Sequence, residues 1–162
     1  MSNGSRDATE GANKPENKAL VSAALKLLSR RDYSRTEFIK KLCASEFDEA
    51  DVEAAAEWCH AQGFLNESRF AESTSRRLGA KYGVQRVAHT LRQKGVAEDQ
   101  VSEIVSTLKD SEQDRASALW TRKFGKIAES GEEKSKQIRY LQSRGFSFAI
   151  IKQVIARAAD QS

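Results

Sequence analysis

Histidine and cysteine carry most nucleophilic and metal chemistry near neutral pH, and this chain has two of each: Cys43, Cys59, His60 and His89. Their spacing argues against that chemistry. Cys59 and His60 are adjacent, so on a helix their side chains diverge by about 100°, whereas a thiolate–imidazole pair must converge. His89 stands among basic residues, with no acid or nucleophile near it in sequence. A structural zinc needs four ligands, and the two cysteines form no CxxC pair. They read as buried helical thiols. The paired carboxylates Asp48–Glu49 and Glu132–Glu133 fall at expected helix N-termini, where acids complement the helix dipole. There is no P-loop and no dinucleotide-type glycine motif. The sequence therefore implies no catalytic residue, no metal, no cofactor and no enzyme.

Cations are the remaining chemical resource. Residues 1–67 hold 9 Lys/Arg against 12 Asp/Glu, and residues 68–162 hold 18 against 11, so a net charge of +4 conceals an acidic first part and a basic remainder. Such polarity suits an anionic partner. The candidate partner-binding residues are Arg76, Arg77 and Lys81, then Arg86, Arg92 and Lys94, then Arg122, Lys123 and Lys126, and finally Arg139 and Arg144. Tyr82, Phe124 and Tyr140 are interleaved with them, so phosphates could be met by the cations and bases by the rings. Acidic protein surface would suit the same cations. A helix-turn-helix reader of duplex DNA is disfavoured, because no three-helix unit ends in a helix rich in base-reading side chains, and the segment 98–109 is net acidic.

A threefold repeat must position these residues. Leu42–Phe47–Val52, Leu91–Val96–Val101 and Leu141–Phe146–Ile151 share one spacing, and the leucines stand 49 and 50 residues apart. Apolar periodicity and capping residues give each repeat three helices. The first repeat (18–65) holds 19–30, a helix capped by Ser34 with Glu37 as capping-box partner, and a third from Asp48 to about Gln62, stopped by Gly63. The second (66–110) holds 67–80 (cap Asn66), 84–94 (stop Gly95) and 98–109; the third (111–159) holds 112–124 (cap Ser111, stop Gly125), 132–144 (stop Gly145) and 148–159. Residues 126–131 form the one longer internal loop. In each repeat the apolar pair five apart matches a hydrophobic staple around Asp48, Ala97 or Ser147. Alanine cannot cap, so the Ala97 terminus is expected to be the weakest of the three. The fold class is thus all-α, tandem three-helix repeats with nine helices, expected as an elongated, curved, right-to-left solenoid-like array.

Composition agrees. Pro15 is the sole proline and charged residues make up 31% of the chain, which fits short helices sharing small cores. Residues 1–17 are polar and aperiodic, as in a disordered lead-in. They lack the apolar stretch of a signal peptide, and no run in the chain is long and apolar enough to span a membrane, so a soluble, cytoplasmic monomer is expected.

Two segments carry a family resemblance. GFLNESRFAE (Gly63–Glu72) and GVQRVAHTLRQKGVAED (Gly83–Asp99) resemble the signature of RecX, the bacterial regulator of the RecA recombinase. WCHAQGF (Trp58–Phe64) and TRKFG (Thr121–Gly125) look like the versions in proteobacterial members. The resemblance spans about residues 19–158. It implies three three-helix repeats and a protein that lodges in the groove of the RecA–DNA filament. There it would inhibit RecA ATPase, strand exchange and coprotease activity, and so regulate DNA repair, homologous recombination and the SOS response. Contact with single- or double-stranded DNA inside the filament stays open. The alternative is a RecA-independent DNA-binding or transcription-regulating helical module. Two positions depart from the family pattern: Thr90 stands where the family usually has Glu, and Glu46 where it has glycine. Arg69, at a repeat junction, is expected to be structural.

Overall fold

The computed structural model describes residues 12–162. The expected lead-in therefore lies outside the described residues as far as residue 11. Beyond it, Lys14 stacks over Trp58 at 5.9 Å, and Asn17 Oδ1 accepts from Leu20 N (3.2 Å) to cap the first helix.

Among the described residues there are nine α-helices and no strand: α1 Lys18–Arg30, α2 Arg35–Ala44, α3 Glu49–Ala61, α4 Glu67–Gly79, α5 Val84–Gln93, α6 Glu98–Lys109, α7 Glu112–Lys123, α8 Gly131–Ser143 and α9 Phe148–Asp160. The ranges expected from periodicity agree with these to within a residue. The chain forms two compact units, divided between Phe70 and Ala71.

In the first unit α1 packs on α2 and α3, and α2 packs on α3. Leu20, Phe38, Leu42, Val52 and Cys59 are buried at its centre, with Leu27, Leu28 and Ile39 partly buried against them. Ser34 Oγ accepts from Glu37 N at 3.1 Å, the cap that the S-x-x-E spacing predicts. In the second unit α5 packs on α6, α6 on α7, and α7, α8 and α9 on one another. Leu119, Trp120, Leu141, Phe146, Ile151 and Val154 form one buried cluster there. Trp120 Nε1 donates to Gln137 Oε1 (3.0 Å), and Gln137 Nε2 donates to Lys126 O (3.1 Å). The loop after α7 is thereby tied to the core.

The repeated motif has a double structural cause. In the second repeat Val96 N donates to Leu91 O (3.0 Å) and Gly95 N to Arg92 O (3.0 Å). In the third, Phe146 N donates to Leu141 O (3.2 Å) and Gly145 N to Gln142 O (2.9 Å). These are the paired bonds of a Schellman C-cap, in which the leucine and the residue five later make the accompanying apolar contact. That later residue is also N′ of the next helix and staples to N4, where Val101 N and Ile151 N close the first turn on Ala97 O and Ser147 O. One side chain therefore ends one helix and begins the next.

The turn residue needs positive φ, and Gly95 (82°) and Gly145 (86°) supply it. In the first repeat the same place is filled by Glu46 at φ 68°, the one non-glycine residue with positive φ among the described residues. A side chain there costs about 1–2 kcal/mol of steric strain.

The capping expectations need three corrections. Ser147 Oγ accepts from Ile150 N (3.3 Å), but Asp48, like Ala97, makes no side-chain capping bond. Ala97 is therefore not uniquely weak. Ser111 is at the N-cap of α7 without capping it; its hydroxyl donates to Leu108 O (3.3 Å) and accepts from Arg115 Nε (3.1 Å). Helix α8 is capped by Ser130, which accepts from Glu133 N (3.1 Å) and was not expected to.

Candidate anion-binding site

The second unit brings together residues that lie far apart in sequence. The N-cap of helix α5 is Gly83, which has no side chain to cap it. Glu112, at the start of α7 and buried, does so instead: its Oε1 accepts from Val84 N at 3.2 Å. A carboxylate at a helix N-terminus satisfies an orphan donor and complements the dipole. Arg115, one turn further along α7, does the converse at two helix C-termini. It donates to Gly79 O (2.6 Å) at the end of α4 and Tyr82 O (3.0 Å) just beyond it, and to Leu108 O (3.0 Å) at the end of α6. Burial lowers its pKa from the ordinary arginine value, against the opposing charge of Glu112. Gly83 also meets the α8–α9 turn directly. Its N–H donates to Arg144 O at 2.8 Å, and a Cβ there would collide with Gly145 O.

These contacts fix the segment 79–83 beside the ends of α7 and α8. The result is a cleft of about 340 Å³ lined by Lys81, Tyr82, Leu119, Arg122, Lys123, Tyr140 and Arg144. The cations are held by rings. Arg144 lies 5.4 Å from both the Tyr82 and Tyr140 centroids, Lys123 lies 5.7 Å from Tyr140, and Arg86 lies 4.1 Å from Tyr82. Phe124 braces Tyr140 edge-on at 5.4 Å. A cation–π contact at such a site is worth about 0.5–1 kcal/mol, no less than a surface ion pair at roughly 0–1 kcal/mol. Unlike an ion pair, it orients the cation without cancelling its charge. Among the described residues, Lys81, Arg122, Lys123 and Arg144 form no ion pair.

The eleven candidate cations therefore divide. Lys81, Arg122, Lys123 and Arg144 converge on the cleft. Arg86 adjoins it, but its Nη1 donates to Ser143 O (2.8 Å), so it also holds the α8 terminus. Arg92 is engaged elsewhere, with Nε and Nη2 gripping both Glu98 oxygens at 2.9 and 2.7 Å. That bond and the charge of Glu98 raise the Arg92 pKa, and the same bond lowers that of Glu98. Lys94 is half-buried and has a partner of its own. Lys126 lines a separate recess with Phe124, Glu133, Lys136 and Gln137. Arg76, Arg77 and Arg139 are exposed and do not line the cleft.

The other side chains with chemical potential have structural roles. Cys59 is fully buried, and burial pushes its thiol up to about 11, which leaves it inert. His60 Nδ1 lies 3.3 Å from Leu65 O. Arg69 donates to Asp32 Oδ1 (2.7 Å) and Phe64 O (3.3 Å), a structural bond as expected. No cluster of three or more potential metal ligands occurs, and no helix is long and apolar enough to cross a membrane, among the described residues.

Fold and sequence together define an all-helical protein of three tandem three-helix domains. Models of the first, second and third three-helix domains of RecX match residues 21–59, 66–104 and 110–155. A regulatory protein RecX of Leptothrix cholodnii is 38% identical over 149 residues, covering 92% of this chain and 94% of the relative. Another, from Ralstonia nicotianae, is 36% identical over 140 residues, covering 86% and 88%. The crystal structure of RecX from Lactobacillus salivarius superposes with a TM-score of 0.71 at 20% identity, covering 87% of this chain and 95% of that one. The chain belongs to the RecX family of regulatory proteins.

Proposed function

We propose that this protein binds the RecA–DNA filament and inhibits its ATPase, strand-exchange and coprotease activities, so restraining recombinational repair and the SOS response. In this reading it is a cytoplasmic monomer that regulates by binding and performs no chemistry of its own. The observation that carries the proposal is a cationic cleft, left un-neutralised, on a chain of RecX descent. Its principal partner-facing residues are Lys81, Arg122, Lys123 and Arg144, with Arg86 in support. Tandem domains suit a polymeric partner, because a second contact made from the same chain is effectively intramolecular. Arg92 drops out of the contact set, since removing it would free Glu98 rather than expose a binding charge. The test is co-sedimentation with RecA filaments assembled on single-stranded DNA with a non-hydrolysable ATP analogue. The protein should pellet with the filaments, and the Arg122→Glu/Lys123→Glu variant should largely stay in the supernatant. Equal pelleting of the two would move the interface away from the cleft, and no pelleting of either would refute filament binding.

A further inference from the structure

The chemistry of the cleft discriminates among anionic occupants. Its walls combine four cations with two tyrosine rings and Leu119. An acidic peptide would use the cations and leave the apolar surface uncovered. Duplex DNA would offer phosphates but keep its bases stacked away from the rings. A single-stranded nucleic acid offers both: a phosphodiester for the cations and an unstacked base for an aromatic surface, the pairing typical of single-strand binders. Arg144 is especially suited to the phosphate. Its guanidinium is oriented by two rings at equal distance, and a pre-oriented fork loses little entropy in gripping a phosphate through two parallel bonds.

We propose that this cleft is a single-strand nucleic-acid subsite, with one phosphate held by Arg144, Arg122, Lys123 and Lys81 and the adjoining base lying against the tyrosine wall. The proposal rests on the reading of the cleft as the partner-facing site. No Asn, Gln, Asp or Glu lines it, and the arginines and lysines, which elsewhere read guanine, are here the groups that hold the phosphate. Binding is therefore indifferent to sequence.

The experiment is fluorescence anisotropy of the full chain with a short labelled oligothymidylate, without RecA, across a range of salt concentrations. Each phosphate neutralised contributes a slope of about −0.7 in log K against log salt for single strands. Loss of the single phosphate contact in Arg122→Gln/Lys123→Gln should thus flatten the slope by about 0.7, while Arg92→Gln leaves it unchanged and circular dichroism shows both variants folded. An abasic oligomer should bind at least about fivefold more weakly than oligothymidylate, because base–aromatic stacking is lost. A mixed-sequence strand should match oligothymidylate. Absence of binding, an unaltered slope in the double variant, equal affinity for the abasic strand, or equal competition by polyglutamate would each overturn the proposal. RecA ATP hydrolysis measured with the same variants separates this claim from the regulatory one. If inhibition needs Arg122 and Lys123 while oligonucleotide is not bound, the nucleic-acid subsite is wrong and the regulatory reading stands. If the unaltered protein binds oligonucleotide without inhibiting hydrolysis, the subsite stands and the regulatory reading fails.

Discussion

Arg115 shows how far a residue's role can be from its local appearance. In sequence it is one cation on a helix that begins with acids, and nothing marks it out. In the fold its guanidinium serves three main-chain carbonyls and the Ser111 hydroxyl, with partners up to 36 residues away. Glu112 is similar, capping a helix that starts 28 residues earlier in the chain. Neither role was legible, because a cap supplied from another helix leaves no trace in local spacing. The Arg92–Glu98 pair, six residues apart across one turn, was within reach of the sequence, which puts a cation and an acid on either side of that turn. Arg115→Met should cost about 3 kcal/mol, since it strands half-buried carbonyls and removes charged hydrogen bonds. The change would be read from the denaturant midpoint of the second unit. A shift below about 0.5 kcal/mol, typical of surface substitutions, would show that water replaces the guanidinium freely.

At the scale of elements, the sequence was legible because the signals are local. Apolar periodicity, helped by glycine stops and a few true caps such as Ser34 and Ser147, placed the nine helices, and the leucine-plus-five-plus-ten spacing marked a true structural unit. What the spacing hid was its first half: in the second and third repeats the leucine pairs with the residue five later through a Schellman turn, and the staple is only the second half. This explains the cost of Glu46. Its equivalents Gly95 and Gly145 take the left-handed conformation freely, whereas Glu46 is held in it by the turn. Glu46→Gly should therefore raise stability by about 1 kcal/mol, the strain released being partly offset by glycine's greater unfolded-chain entropy. Urea denaturation of the variant and the parent protein measures this. A loss of stability would mean that the glutamate side chain contributes more than its backbone strain.

At the scale of the whole molecule, charge and chemistry are divided along the chain. Residues 68–162 carry the positive excess, and the cleft lies within that stretch. Composition disclosed that asymmetry, but not which cations would be free. Lys81 follows α4, Arg122 and Lys123 end α7, and Arg144 follows α8, so only packing gathers them. Packing also pairs Arg92 with Glu98 and commits Arg86 partly to the main chain. The sequence supplied the family and the inventory of cations, and the fold selects among them.

The central claim is that this protein restrains RecA through that cleft. Its most direct measurement is the rate of ATP hydrolysis by RecA on single-stranded DNA as the protein is added. Inhibition should appear at sub-stoichiometric ratios with the unaltered protein, persist with Arg92→Gln, and be largely lost with Arg122→Glu/Lys123→Glu. Hydrolysis that proceeds unchanged in excess unaltered protein would contradict the claim.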